Sequence, residues 1–249
     1  MVEPCTMQSP HRATSRPIAA STPAETRIYA VGDIHGRADL LMETFARIDD
    51  DLRRRPVAYA VEVYLGDYID RGPHSSTVID ALAVRMIRNG AICLRGNHEA
   101  LMERFLRSEI DFEPWQQLGA AQTFASYGIE LRKGDTSTAL RRLLHIVLPP
   151  THELFLQCLK DSYCCGDFFF AHAGVRPGVA IERQNANDLI WIRSEFLDSD
   201  HDHGKFIVHG HTPVPHPDIR HNRINIDTGA WKTGTLTCAA IEGTAILIL

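Results

Sequence analysis

The sequence predicts an α/β (α+β) fold, and three observations carry that expectation. From Arg27 onward, short apolar β-branched runs alternate with stretches of helical periodicity; the early runs end in glycine-bearing polar motifs; and after Phe168 the runs follow one another at hairpin spacing. Alternation of that kind builds parallel strands joined by crossover helices, whereas hairpin spacing builds a largely antiparallel or mixed sheet. With 249 residues, 44% of them hydrophobic and 23% charged, one domain can bury a full core and no second domain is required.

Taken in chain order, residues 1–26 are rich in Ser, Thr, Pro and Ala and show no hydrophobic periodicity. Such a segment buries too little apolar surface to offset the entropy of ordering, so a disordered tail is expected, followed by one folded domain over residues 27–249. Strands are expected at 27–31, 58–65, 91–95, 168–171, 205–208, 224–226, 236–241 and 245–249. Leu41, Phe45, Ile48 and Leu52 share one face of a helix that Pro56 stops. Val78, Ile79, Leu82 and Met86 mark a second helix, with Asn89-Gly90 as its left-handed terminus. Residues 99–160 read as a mainly helical cap, broken near Pro114, between Tyr127 and Asp135, and at Pro149-Pro150.

Composition narrows the function classes. A net charge of -5 argues against nucleic acid as a partner, so any anion site must be focused by a few residues. No apolar run approaches the roughly 20 residues of a membrane span, and the N-terminus lacks a secretory layout. Residues 9–26 contain Arg12, Arg16 and a single acidic residue, loosely like a transit peptide, but Glu3 and the prolines weigh against that. Cys5, Cys93, Cys158, Cys164, Cys165 and Cys238 form no CxxC pair or disulfide framework. A cytoplasmic protein with free thiols, and a monomer, is the expectation.

The chemistry lies in the strand-end motifs. Gly32-Asp33-Ile34-His35-Gly36 follows the first strand, and in an extended backbone Asp33 and His35 point to one side. Gly66-Asp67-Tyr68-Ile69-Asp70-Arg71-Gly72 closes the second strand and Arg95-Gly96-Asn97-His98-Glu99 the third. His172-Ala173-Gly174 and His209-Gly210-His211 close two later ones. Each has a bland explanation: Asp and Gly are ordinary turn formers, Asn97 can cap a helix, and Arg71 beside Asp70 can be a surface ion pair worth about 0 to 1 kcal/mol. The repetition on the ligand-binding edge of an α/β sheet has none. Asp33, His35, Asp67, Asn97, His172 and His211 form an oxygen and imidazole set suited to Mn, Fe, Zn or Co. Six ligands are too many for one open catalytic ion and the right number for two that share a carboxylate.

Taken together, GDIHG, GDYIDRG, LRGNHE, HAG and HGH resemble, in this order, the signature of the phosphoprotein phosphatase family of calcineurin-like metallophosphoesterases. Trp115 to Gly119, Ser126-Tyr127-Gly128 and Ile226-Asp227-Thr228-Gly229 look like the small bacterial and bacteriophage members. The resemblance implies two mixed β-sheets packed as a sandwich flanked by helices, and two divalent cations, Mn²⁺ foremost. By the same resemblance Asp33 and His35 hold the first ion, Asp67 bridges, and Asn97, His172 and His211 complete the second. A metal-bridging hydroxide then attacks phosphorus directly, His98 serves as general acid oriented by Asp70, and Arg71 and Arg193, with Asn97, bind the phosphate. His209 is better read as supporting His211, and His201-Asp202-His203 as a solvated loop. The resemblance points to phosphoserine and phosphothreonine in proteins as substrates, on GNHE together with GDYIDRG. Symmetrical diadenosine tetraphosphate hydrolases, which typically carry GNHD, are the enzymatic alternative, and a catalytically silent binding module is the other.

Overall fold

A computed structural model describes residues 20–249; the part of the expected tail at residues 1–19 lies outside them. Residues 20–25 are not tail. Ala20 and Thr22 are buried, the Thr22 N–H donates to Gly243 O at 3.1 Å, and the Asp167 N–H donates to Ser21 O at 3.0 Å. The Gly243 N–H in turn donates to Thr22 Oγ1. Two turns of the protein thus find partners for their backbone groups in this short strap, which is why a polar segment orders here.

The first sheet contains β1 (Thr26–Val31), β2 (Tyr59–Tyr64), β3 (Ile92–Cys93), β9 (Cys238–Glu242) and β10 (Ala245–Ile248), in the order β10-β9-β1-β2-β3. Helices α1 (Ala38–Arg54) and α2 (Ser75–Asn89) make the crossovers, so β1, β2 and β3 are parallel. Gly90 takes the left-handed conformation at the end of α2, as its position predicts. The cap region consists of α3 (Asn97–Leu106), α4 (Phe112–Gln116), α5 (Ala120–Ser126), α6 (Ser137–Val147) and α7 (Pro150–Cys158).

The second sheet orders β4 (Ser162–Cys165), β5 (Phe168–Ala171), β6 (Phe206–His209), β8 (Arg223–Asn225) and β7 (Asp218–Ile219) as β4-β5-β6-β8-β7. The sheet is mixed, one of the two outcomes that hairpin spacing allowed, and its centre is parallel. β5, β6 and β8 are mutually parallel, and only the edge strands β4 and β7 pair antiparallel. Between β5 and β6 the chain crosses through α8 (Ala186–Trp191) and α9 (Ser194–Leu197), helices too short to leave a clear periodicity. The short α10 (Ala230–Thr233) precedes β9.

Alternation along the strands shows how the sheets pack. Ile28 and Ala30 of β1 meet Phe168 and Phe170 of β5 in one core between the sheets. Tyr29 and Val31 face the other way, into a core with Leu41, Phe45, Ile48, Val78 and the cap. Phe169 and Ala171 face outward against Leu189 and Phe196. The architecture is therefore two five-stranded mixed sheets packed face to face with helices on both outer faces. Every parallel strand delivers its C-terminal end to the same edge of the sandwich.

Candidate active site

The backbone itself marks that edge. Seven non-glycine residues among those described have positive φ, and five of them are His35, Asp67, Asp70, Arg71 and His211. Residues in this left-handed region cost of order 1 to 3 kcal/mol each and persist where surroundings over-determine them. Gly96 shows how tight those surroundings are, since a Cβ there would collide with the Asp67 carboxylate and backbone nitrogen. The strand ends interlock, and the interlocking sets the side-chain directions.

Asp67 lies at the centre, 2% exposed. One of its oxygens is 3.5 Å from His35 Nε2 and the other 3.4 Å from His172 Nε2. Two groups of potential ligand atoms share it: His35, Asp67 and His98, and Asp67, His172 and His211. The outer nitrogen of two imidazoles is anchored: His35 Nδ1 to Ile69 O and His172 Nδ1 to Leu65 O, both at 2.9 Å. An Nδ1–H donated to a carbonyl leaves Nε2 bare and aimed inward, the tautomer a metal ligand needs. Around His172 Nε2 lie Asn97 Oδ1 at 3.0 Å and His211 Nδ1 at 3.1 Å. Asp33 packs beside His211, whose N–H donates to its carboxylate at 3.0 Å.

Electrostatics fit this set to divalent cations. Burial pushes His35 and His172 below the ordinary imidazole range and His211 down to about 2, so all three are neutral. Burial, with Asp227 and Asp67 nearby, pushes the Asp33 carboxyl well up. Asp227, likewise raised by burial, reaches about 6. The buried His211 Nε2 has no hydrogen-bond partner. Cations would give these clustered carboxylates a counter-charge and that nitrogen a partner.

Around this cluster stand the groups suited to proton delivery and phosphate binding. His98 Nδ1–H donates to Asp70 Oδ2 at 2.6 Å. Burial opposes charge on His98, yet the Asp67 and Asp70 carboxylates prevail and hold it above the ordinary imidazole value. Arg71 donates to His98 Nε2 at 3.3 Å, and its guanidinium lies 5.3 Å from the centroid of Trp231, a ring 40% exposed. Arg193 is exposed at the rim, where it donates to Thr212 Oγ1. It is the one expected site residue set apart from the buried cluster.

Glu99 has a structural place. Its buried carboxylate accepts the backbone N–H groups of Asp67, Tyr68, Ile69 and Gly96. It braces loops beneath the site. His203, read as part of a solvated loop, instead packs its ring against Phe196. Asp227 is a site residue to which the sequence reading gave no role, although it follows β8 as Asp33 follows β1. Its Oδ1 accepts the Gly229 N–H at 2.8 Å beside Asp33. The strand-end rule, extended one strand further, finds it.

The family description of calcineurin-like phosphoesterases matches residues 26–233. The chain belongs to this family. Among fellow phosphoesterases, an asymmetrical bis(5'-nucleosyl)-tetraphosphatase of Halalkalibacterium halodurans is 26% identical over 226 residues, 83% of this chain and 87% of that protein. A Schizosaccharomyces pombe protein provisionally named a serine/threonine-protein phosphatase is 41% identical over 156 residues, 62% of this chain and 41% of its own. Among solved phosphoesterase structures, a provisionally named diadenosine tetraphosphatase superposes with a TM-score of 0.62 at 19% identity, covering 92% of this chain and 97% of that one. A cold-active protein tyrosine phosphatase superposes at 0.59 with 15% identity, covering 92% and 78% respectively. At these identities the superpositions speak for the calcineurin-like fold alone. No helix among the described residues is long and apolar enough to cross a membrane.

Proposed function

We propose that this phosphoesterase hydrolyses phosphomonoesters with poor leaving groups, phosphoserine and phosphothreonine in proteins foremost. The observation that carries the reading is the His98–Asp70 pair, buried together at 2.6 Å on the edge of the ligand cluster. An alkoxide leaves phosphorus only when protonated, and a positioned acid contributes about 10² to 10⁴ in rate to such a step. A nucleotide leaving group has far less need of one.

Asp33, His35 and Asp67 would hold one divalent cation, and Asp67, Asn97, His172 and His211 a second, with Mn²⁺ the first choice and Fe, Zn or Co alternatives. Once bound, such ions supply Lewis acidity and an acidified water. The remaining work belongs to the chain. Arg71, helped by Arg193 and Asn97, orients the phosphoryl oxygens; as Arg71 turns to them, His98 Nε2 is freed to take up a proton, which the Asp67 and Asp70 carboxylates favour, and to give it to the departing oxygen. Asp70 holds the ring in place. Every position this chemistry needs is filled, which disfavours a silent binding module. The proposed setting is cytoplasmic, with phosphoproteins as partners of a monomer.

A second reading is dinucleoside tetraphosphate cleavage, of the asymmetrical kind for which the relatives are named rather than the symmetrical kind expected from the motifs. It is favoured by Trp231, whose half-open ring beside Arg71 offers a stacking platform next to a phosphate-binding guanidinium. Turnover of a phosphoserine peptide and of diadenosine tetraphosphate, measured side by side with Mn²⁺, tests the ranking. Preference for the peptide supports the first reading; strong preference for the nucleotide replaces it with the second.

A further inference from the structure

Asp70 is fully buried, and both of its oxygens are occupied by side-chain donors that arrive from different directions. Oδ2 takes the His98 Nδ1–H and the Trp115 Nε1–H, the latter at 2.8 Å. Oδ1 takes the Thr123 hydroxyl at 2.5 Å. Thr123 Oγ1 also accepts the Asp70 backbone N–H at 2.9 Å, so one side chain grips both ends of the residue. Trp115 belongs to α4 and Thr123 to α5, two helices of the cap.

These donors are themselves immobile. Trp115 is fully buried between Phe105, Phe112 and Phe124, at centroid distances of 5.6, 6.2 and 5.5 Å. Between α4 and α5, Gly119 O accepts the Arg71 N–H, and a Cβ on Gly119 would come within 2.9 Å of the Arg71 nitrogen. One cap segment thus touches the backbone of the phosphate-binding arginine and the carboxylate that orients the proton donor. A Trp N–H buried in an aromatic cluster needs only some acceptor. Here that acceptor is the carboxylate on which the His98 ring is hung.

We infer that Trp115 and Thr123 are positioning residues for proton delivery: by locking the Asp70 carboxylate in one orientation, they aim His98 Nε2 at the leaving-group oxygen. The inference rests on the reading of His98 as the proton donor. In that step the P–O bond breaks, its electron pair stays on the leaving oxygen, and the proton from Nε2 joins it. Without the lock, Asp70 can rotate and carry the imidazole off line; a misaligned acid loses much of its effect while phosphate binding is untouched.

Leaving-group dependence separates this role from a structural one. Trp115→Phe keeps the aromatic packing and removes the N–H, and Thr123→Val keeps the volume and removes the hydroxyl. Each is assayed with Mn²⁺ on a phosphoserine peptide, whose leaving group needs a proton, and on p-nitrophenyl phosphate, whose leaving group does not. The expected result is a fall in kcat of about tenfold or more on the peptide and less than about threefold on the aryl ester, with KM unchanged. Thr123→Ser should restore the peptide rate. His98→Asn is run alongside. If it loses the peptide selectively while both cap variants lose neither substrate or lose the two equally, the positioning role is overturned and His98 stands. If His98→Asn shows no selectivity, both inferences fall. Should Trp115→Phe not fold, Thr123→Val and Thr123→Ser decide the matter alone.

Discussion

Glu99 Oε2 accepts the backbone N–H of Asp67 at 2.9 Å, so the residue that follows the proposed proton donor supports the central carboxylate from beneath. With Tyr68, Ile69 and Gly96 also donating to it, Glu99 ties the loop after β2 to the loop after β3. Asp67 keeps its positive φ because this brace and Gly96 leave it no alternative.

Removing the brace should cost stability more than selectivity. Glu99→Ala leaves buried N–H groups without an acceptor and is expected to destabilise the protein by about 2 to 3 kcal/mol in urea titrations. Glu99→Asp, if folded, should leave the ratio of phosphopeptide to diadenosine tetraphosphate turnover unchanged; a switch towards nucleotide would give Glu99 a substrate role after all.

Metal loading should stabilise the fold through the buried carboxylates. Mn²⁺ at about 100 times its dissociation constant is worth about 2.7 kcal/mol, or roughly 5 to 10 °C in Tm for a chain of this size. Asp67→Asn should abolish the shift in scanning calorimetry together with turnover. An undiminished Mn²⁺ shift in that variant would remove Asp67 from the centre.

Trp231 discriminates between the two substrate readings. Trp231→Ala should raise KM for diadenosine tetraphosphate about tenfold, the equivalent of about 1.4 kcal/mol of lost stacking, and leave the phosphopeptide KM within twofold, or about 0.4 kcal/mol. Equal effects on both would make the ring a general wall of the pocket.

His203 predicts a pH dependence remote from the chemistry. Burial, with His201 beside it, lowers its pKa from 6.5 to about 4 in the folded state. The unfolded chain therefore binds the extra proton first, so the stability contribution is complete above pH 6.5 and is lost as pH falls through 4. His203→Phe keeps the contact with Phe196 and should flatten that part of the stability profile relative to the parent protein; parallel profiles would mean the imidazole does not titrate this way.

Much of the site was legible because its signals are local. Asp33 and His35 sit two apart after one strand, and the same glycine-and-ligand ending recurs after β2, β3, β5 and β6. Extended backbone and short-range turn chemistry are enough to predict that these side chains gather at one edge. The family resemblance implied two sheets packed as a sandwich, and the apolar residues on both faces of Ile28–Val31 and Phe168–Ala171 are the ones that packing buries.

Tertiary structure alone decided the rest. It made β5 and β6 parallel, because the crossover uses helices too short to show a period. It turned Glu99 inward, placed Asp227 beside Asp33, and brought Trp115 and Thr123 onto Asp70 from 45 and 53 residues away. Contacts of that kind depend on how the cap docks on the sheet, and no periodicity or turn rule along the chain encodes the angle of that docking. The sequence singled out the candidate residues for metal and phosphate; the packing decided which of their neighbours hold them still.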